Sequence, residues 1–329
     1  MSDPFWKDRS VLITGASGFV GYWLSEELCR QGASVTALMS SRDFSVRARP
    51  LLNFVGLKAV EGNIDDAKLL ERVMCNEAVD TVFHLAANNI NVGDSVSPLA
   101  IFETNIRGAY SILEACRLTR SVQRVVIASS REAEELHAID NNSELERRQR
   151  HPYQASKISA ELIAQAYNDT YNVPVVISRS DNIYGGRDFN WNRLIPGTIR
   201  SLYYGDPPIL RSNGEIKRDY VFIQDIVAAY LALAKRASNA DVRGQTFHFA
   251  TGANISGLDI VNLLCEVACR SDLKPIIINH SKNERINQPR PLHRERDILG
   301  WESKCQIQEG LRLTFSWYQD YFSQADARN

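Results

Sequence analysis

Apolar residues cluster in short runs along this chain, and the runs alternate with stretches of helical period. Residues 11–13, Val-Leu-Ile, end at Thr14-Gly15, and a helix-like stretch over 22–30 follows and stops at Gly32. Short apolar runs bounded by glycine and polar residues read as buried strands, and glycine after a periodic stretch reads as a helix stop. The same reading predicts strands at 33–39, 57–61, 79–87, 124–129 and 174–179, with helices over 65–75, 98–119 and 151–171 between them. Strands alternating with helices imply right-handed crossovers and a doubly wound, mainly parallel sheet covered on both faces, an α/β fold. Beyond residue 180 the rhythm breaks at Gly185-Gly186, Pro196, Pro207-Pro208 and Gly214, with helices near 194–204, 223–236 and 256–270. A smaller C-terminal α/β lobe over 181–329 is expected there, and residues 245–250 read as a strand returning to the first domain, residues 1–180, by way of 223–250.

Length supports two domains, since 329 residues exceed the roughly 150 typical of one. Hydrophobic residues at 44% and charged residues at 23% exclude a disordered or fibrous chain. With 38 Lys+Arg against 39 Asp+Glu, no global field would hold a polyanion, so nucleic acid is not an expected partner. The six cysteines are scattered without metal-ligand spacing and read as reduced thiols; no metal site is expected. No apolar run approaches the roughly 18 residues of a membrane span, so the expectation is a cytoplasmic protein.

Gly15, Gly18 and Gly21 follow a strand and open a helix. Bare backbone N–H groups and the positive helix end can meet a diphosphate there, whereas side chains would block the approach. The acidic residue that would hold an adenosine ribose after the second strand is absent, because Met39-Ser40-Ser41-Arg42 stands in its place. NAD is the expected cofactor, with NADP the alternative through Arg42 in a surface loop. Tyr153 and Lys157 are four apart on a predicted helix and share a face. A cation beside a phenol lowers its pKa from about 10 toward a range where it can take a proton. An alcohol losing a proton as hydride leaves for a nicotinamide needs such a pair. Ser129-Ser130 ends the preceding strand, where a hydroxyl can hold the same oxygen.

Together, residues 14–21 (Thr-Gly-Ala-Ser-Gly-Phe-Val-Gly), His84-Leu-Ala-Ala87, Asn105 with Gly108, Ser129-Ser130, Tyr153-Gln-Ala-Ser-Lys157 and Asn182-Ile-Tyr-Gly185 resemble the extended short-chain dehydrogenase/reductase family. Residues 182–225 and Leu299-Gly-Trp301 are most similar to its nucleotide-sugar epimerase/dehydratase branch, particularly CDP-glucose 4,6-dehydratase-like proteins. The resemblance implies a Rossmann domain that retains NAD through Gly15, Ser17, Gly18, Phe19, Val20 and Gly21, with Asn63 and Ile64 near the adenine. It places Leu85, Ala86, Ala87 and Asn105 along the cofactor, and makes Ser130, Tyr153 and Lys157 the catalytic set. Asn182, Arg193, Arg211 and Arg218 would bind the nucleotide-sugar substrate, and guanidinium groups suit bidentate phosphate contacts. The helices 98–119 and 151–171 carry apolar residues beyond what one sheet face needs, so a homodimer built as a four-helix contact is expected, which the resemblance supports.

One departure bears on the chemistry. Where dehydratases of this branch carry an acid-base pair after the serine, this chain has Arg131-Glu132-Ala133-Glu134-Glu135. Water elimination needs a base at C5 and an acid for the leaving hydroxyl; Glu132 can be the base, but Arg131 stays protonated. Epimerisation at C4 requires only Ser130, Tyr153, Lys157 and the nicotinamide, so it is favoured over dehydration. Arg131 can also clamp a sugar carboxylate or pair with a neighbouring glutamate. A non-catalytic dinucleotide-binding homologue is the remaining alternative.

Overall fold

The computed structural model describes residues 4–88, 97–133, 151–279 and 293–327. The strands are β1 (Ser10–Thr14), β2 (Ser34–Met39), β3 (Leu57–Glu61), β4 (Thr81–His84), β5 (Arg124–Ala128), β6 (Val175–Ser180), β7 (Asn182–Tyr184), β8 (Ile209–Leu210), β9 (Lys217–Phe222), β10 (Thr246–Phe249), β11 (Asn254–Ser256) and β12 (Ile276–Ile277). Seven of them form one parallel sheet in the order β10-β6-β5-β4-β1-β2-β3. Its central strands are buried along their length and its edge strand β3 is not, as helices on both faces require. Leu12, Val82, Val125, Ile127, Val175 and Ile177 meet Leu70, Met74, Ile112 and Leu113 from the helices in the core. The strand order reverses between β1 and β4, where Thr14 pairs in register with both Leu38 and His84. In open α/β sheets ligands bind beyond the strand C-termini at such a reversal.

The chain forms two compact units. The first comprises Met1–Ser180, Val227–His248 and Asp297–Trp301, and the second Asp181–Ile226, Phe249–Arg296 and Glu302–Asn329. In the second, β9 lies between a parallel β7 and an antiparallel β11, and β8 pairs with β12. The buried Asp219 carboxylate accepts from Thr251 N and Oγ1, both at 2.8 Å, and from Gly252 N at 2.6 Å. The helix Ile307–Asp326 packs through aromatic rings, and the Tyr318 hydroxyl donates to the Asp188 carbonyl at 2.6 Å.

Three local expectations change. Residues 41–51 form a helix, Ser41–Leu51, rather than a loop, because Ser40 accepts from Asp43 N at 3.4 Å and starts the turn. Arg42 therefore stands in a first helical turn, with its side chain outside the described part. The strand expected over 79–87 is only Thr81–His84, since Leu85 N turns to the Thr14 carbonyl at 3.1 Å. The helix expected over 98–119 is divided into Pro98–Phe102 and Gly108–Leu118 by a wider π turn at Glu103–Arg107.

Candidate active site

The glycine turn shows why this loop takes no side chains at its corners. Gly15 has φ +74°, and a Cβ there would lie 2.8 Å from the Ala86 nitrogen; a Cβ at Gly21 would lie 2.2 Å from the Gly15 oxygen. Glycine thus lets strand, loop and helix close on one another. Gly18 is the N-cap of the helix Phe19–Arg30, and no side chain caps it. The first-turn N–H groups of Phe19, Val20 and Gly21 carry the positive end of the helix dipole, beside a buried Ser17. An uncapped helix start behind a tight glycine turn fits a dinucleotide diphosphate.

Thr14 and His84 close the floor of this region. Their Oγ1 and Nδ1 are 2.8 Å apart, and Thr14 Oγ1 also accepts from Ala86 N at 3.3 Å. Burial and the nearby Lys157 push the His84 pKa down to about 3, so the imidazole is neutral at ordinary pH. Half-buried Leu85 and Ala86 lead to an exposed Ala87, and Ile64 packs beneath Gly108, where a Cβ would meet its Cγ2 at 3.0 Å. Asn63 is exposed, and its carbonyl accepts from Asp66 N at 3.3 Å.

Asn105 lies in the π turn and is buried. Its Oδ1 accepts from Asn88 N at 2.8 Å, while Nδ2 donates to Asn88 O and to Ser156 Oγ, each at 2.9 Å. Ser156 Oγ in turn donates to Tyr153 O at 2.7 Å. The loop after β4, the π turn and the first turn of the helix Pro152–Tyr171 are thereby tied together. That helix starts at a capping box, in which the His151 ring accepts from Tyr153 N and the Gln154 side chain accepts from His151 N.

On this helix Lys157 is buried, and its Nζ donates to the Ala128 carbonyl at the end of β5 at 2.9 Å. The ammonium lies 5.8 Å from the Tyr153 ring centroid. Burial lowers the Lys157 pKa to about 8, opposed by the Glu161 carboxylate. Just past the end of β5, Ser130 Oγ accepts from Glu132 N at 3.2 Å. Ser130, Tyr153 and Lys157 thus all attach to β5 or to the helix leaned on its end. Ser129 extends the pairing by donating its N–H to Ser178 O at 2.7 Å. Arg131 is half-buried and Glu132 exposed, while Glu134 and Glu135 lie outside the described residues.

Of the residues expected to bind substrate, Arg131 belongs to the first unit and Asn182, Arg193, Arg211 and Arg218 to the second. Asn182 Nδ2 donates to Asp219 O at 2.9 Å. Arg193 stands exposed before the helix Leu194–Tyr204, and its NH1 lies 3.0 Å from Oδ2 of the buried Asp188. Arg211 NH1 and NH2 donate to Asn192 O at 3.1 Å and to Asn192 Oδ1 at 2.9 Å. Two of the arginines are therefore gathered on the loop 188–193. Arg218 is half-buried on β9, opposite Ile255.

Sequence reasoning did not single out Asn88, Ser156, Glu161 or Arg179. Glu161 is one turn beyond Lys157 and buried, and Arg179 Nε donates to its Oε1 at 2.8 Å while NH2 donates to Oε2. The readable sign was a charge inside an apolar strand, which is seldom buried without a partner. Among the described residues no helix is long and apolar enough to cross a membrane, and no cluster of His, Cys, Asp and Glu could hold a metal ion.

The model of the NAD dependent epimerase/dehydratase family matches residues 11–248. The chain is 25% identical over 328 residues to a trifunctional UDP-glucose 4,6-dehydratase/UDP-4-keto-6-deoxy-D-glucose 3,5-epimerase/UDP-4-keto-L-rhamnose-reductase of Arabidopsis thaliana. That match takes in 97% of this chain and 48% of the plant protein, so the chain spans about half the length of this relative. It is 28% identical to the dTDP-glucose 4,6-dehydratase of Haemophilus influenzae, over 94% of this chain and 97% of that one. The fold is similar to that of UDP-glucose 4-epimerase from Thermotoga maritima, with a TM-score of 0.81, 24% identity and coverage of 95% and 99% of the two chains.

Proposed function

The chain belongs to the NAD dependent epimerase/dehydratase family, and from that premise we propose that it epimerises a nucleotide sugar by transient oxidation at C4. The observation that carries the reading is the Lys157 ammonium, buried and fastened to Ala128 O, within 5.8 Å of the Tyr153 ring. Tyr153 takes the proton of the C4 hydroxyl, the Lys157 charge favours the phenolate, and Ser130 holds the sugar oxygen. NAD, when bound, would supply a hydride acceptor and donor for C4, while Tyr153, Lys157 and Ser130 hold the sugar oxygen through the turning of the keto sugar.

Gly15, Ser17, Gly18 and the first-turn N–H groups of Phe19, Val20 and Gly21 hold the cofactor diphosphate in this reading. Asn63 and Ile64 border the adenine, and Leu85, Ala86, Ala87 and Asn105 line the rest. Arg42, at a helix start, is the residue through which NADP would be held in place of NAD. On the substrate side Asn182, Arg193, Arg211 and Arg218 receive the nucleotide diphosphate, and Asp188 and Asn192 orient two of these guanidinium groups beforehand. The finer kinship with CDP-glucose 4,6-dehydratase-like proteins belongs to the same proposal, and the base is identified by the substrate test below. Leu99, Tyr110, Leu118, Leu162 and Tyr171 are exposed on the two helical segments expected at a homodimer contact, which supports that assembly.

Dehydration is the second reading, favoured by the names of the dehydratase relatives. Against it stands Arg131, which cannot protonate a leaving hydroxyl, beside an exposed Glu132. Proton NMR of the purified protein with CDP-, UDP-, dTDP- and GDP-sugars in deuterated water tests the proposal. The expected product is the C4 epimer without deuterium at C5. A C6 methyl with deuterium at C5 would establish dehydration instead, and no turnover of any of these sugars would favour the non-catalytic reading.

A further inference from the structure

Among the described residues, Glu161 and Arg179 form a buried pair of charges that the proposed reaction does not use. Glu161 is 1% exposed and Arg179 9%, and the two are joined through both carboxylate oxygens. Burying two charges is costly, and a well-packed apolar pair at such a site is often no less stable. Stability alone is therefore a weak reason for this pair. Its location is informative: Glu161 follows Lys157 by four residues on the helix Pro152–Tyr171, so the side chains project from one face with Cβ atoms about 5–6 Å apart. Arg179 reaches Glu161 from β6, the strand beside β5, whose end carries the Ala128 carbonyl that holds Lys157.

We propose that Glu161, clamped by Arg179, is a positioning residue that keeps the Lys157 ammonium charged beside Tyr153. The inference rests on the proposed C4 oxidation, because it gives a purpose to the charge on Lys157. Around Lys157 the titratable groups are His84 from β4, Glu161 and Tyr153 from its own helix, and Arg179 from β6 through its bond to Glu161. His84 is neutral, so it offers no counter-charge, and Glu161 is the nearby carboxylate that offsets the burial of the ammonium. Arg179 donates to both Glu161 oxygens, while Lys157 Nζ donates to Ala128 O. Glu161 therefore acts through its field and leaves the ammonium in its place at the strand end.

The test is the titration of Lys157 itself, read by NMR of protein carrying 13Cε-lysine, with Lys157→Met assigning the resonance. Glu161→Gln alone strands a buried guanidinium and is expected to fold poorly, so the informative variant is Glu161→Gln/Arg179→Met, which removes both charges. Its Lys157 midpoint is expected to fall by about one pH unit from the wild-type value, and the activity limb that reports Tyr153 ionisation to move to higher pH with the nucleotide-sugar KM unchanged. Glu161→Asp, which keeps the charge, is expected to retain most of the wild-type titration. A folded double variant whose Lys157 titrates as in the wild type would overturn the proposal and make the pair purely structural. The titration needs no substrate, so a shifted midpoint with no turnover of any nucleotide sugar would count against the proposed reaction and not against the Glu161 assignment.

Discussion

The residues proposed to hold the cofactor, in the first unit, and those proposed to hold the nucleotide sugar, in the second, are fixed in different ways. The first unit presents backbone at its glycine turn and side chains already spent on internal bonds: Thr14 on His84, Asn105 on Asn88 and Ser156, Lys157 on Ala128. The second unit presents long cationic side chains on loops, with Arg193 held by Asp188 and Arg211 by Asn192. The difference teaches where rigidity comes from. Buried networks position a group at the cost of leaving it no freedom, whereas exposed arginines keep reach and depend on a local partner for direction.

Substitutions break the comparison most sharply on the first side. Tyr153→Phe is expected to lower kcat by about 10³-fold in the NMR assay with little change in KM, since it removes the proton acceptor alone. Gly15→Ala combines a positive φ with a contact 2.8 Å from Ala86 N and is expected to cost about 2 kcal/mol or more. It should lower the melting temperature and weaken NAD binding by calorimetry. On the second side Arg193→Ala and Arg211→Ala should each raise the nucleotide-sugar KM by about ten-fold while leaving NAD affinity intact. Equal losses of NAD affinity from these variants would erase the distinction between the sides.

A smaller effect separates stability from catalysis. Burial lowers Lys157 from its ordinary 10.5 to about 8, so the folded state binds this proton less readily than the unfolded chain. Its unfavourable contribution is complete below about pH 8 and fades as the pH rises toward 10.5. Lys157→Met should therefore melt higher than the wild type at pH 7 while losing turnover, and the two melting curves should converge at high pH. The smallest change is expected for Glu132→Gln, which should alter epimerisation by less than about two-fold. Loss of all activity in that variant would move the reaction to dehydration.

Much of the candidate site's local geometry was legible in the sequence because it depends on local spacing. Gly15, Gly18 and Gly21 mark a turn by the absence of side chains, and Tyr153 with Lys157 marks one helical face by an interval of four. The helix Ser41–Leu51 was missed although Ser40 and Asp43 carry a capping pattern, because a polar stretch containing Pro50 imitates a loop. The π turn at Asn105 gives no sign in its own segment, since its side chain is bound to Asn88, 17 residues away, and to Ser156, 51 residues away.

By itself the sequence determined the alternation of strands and helices, the glycine turn and the tyrosine-lysine face, all governed by interactions within a few residues of chain. Only the tertiary structure decided that Lys157 binds Ala128 O, that His84 is buried neutral, and that Glu161 and Arg179 meet at the helix Pro152–Tyr171. Those facts depend on strand order and on burial, which bring together groups far apart in the chain and remove the water that would otherwise mask their charges.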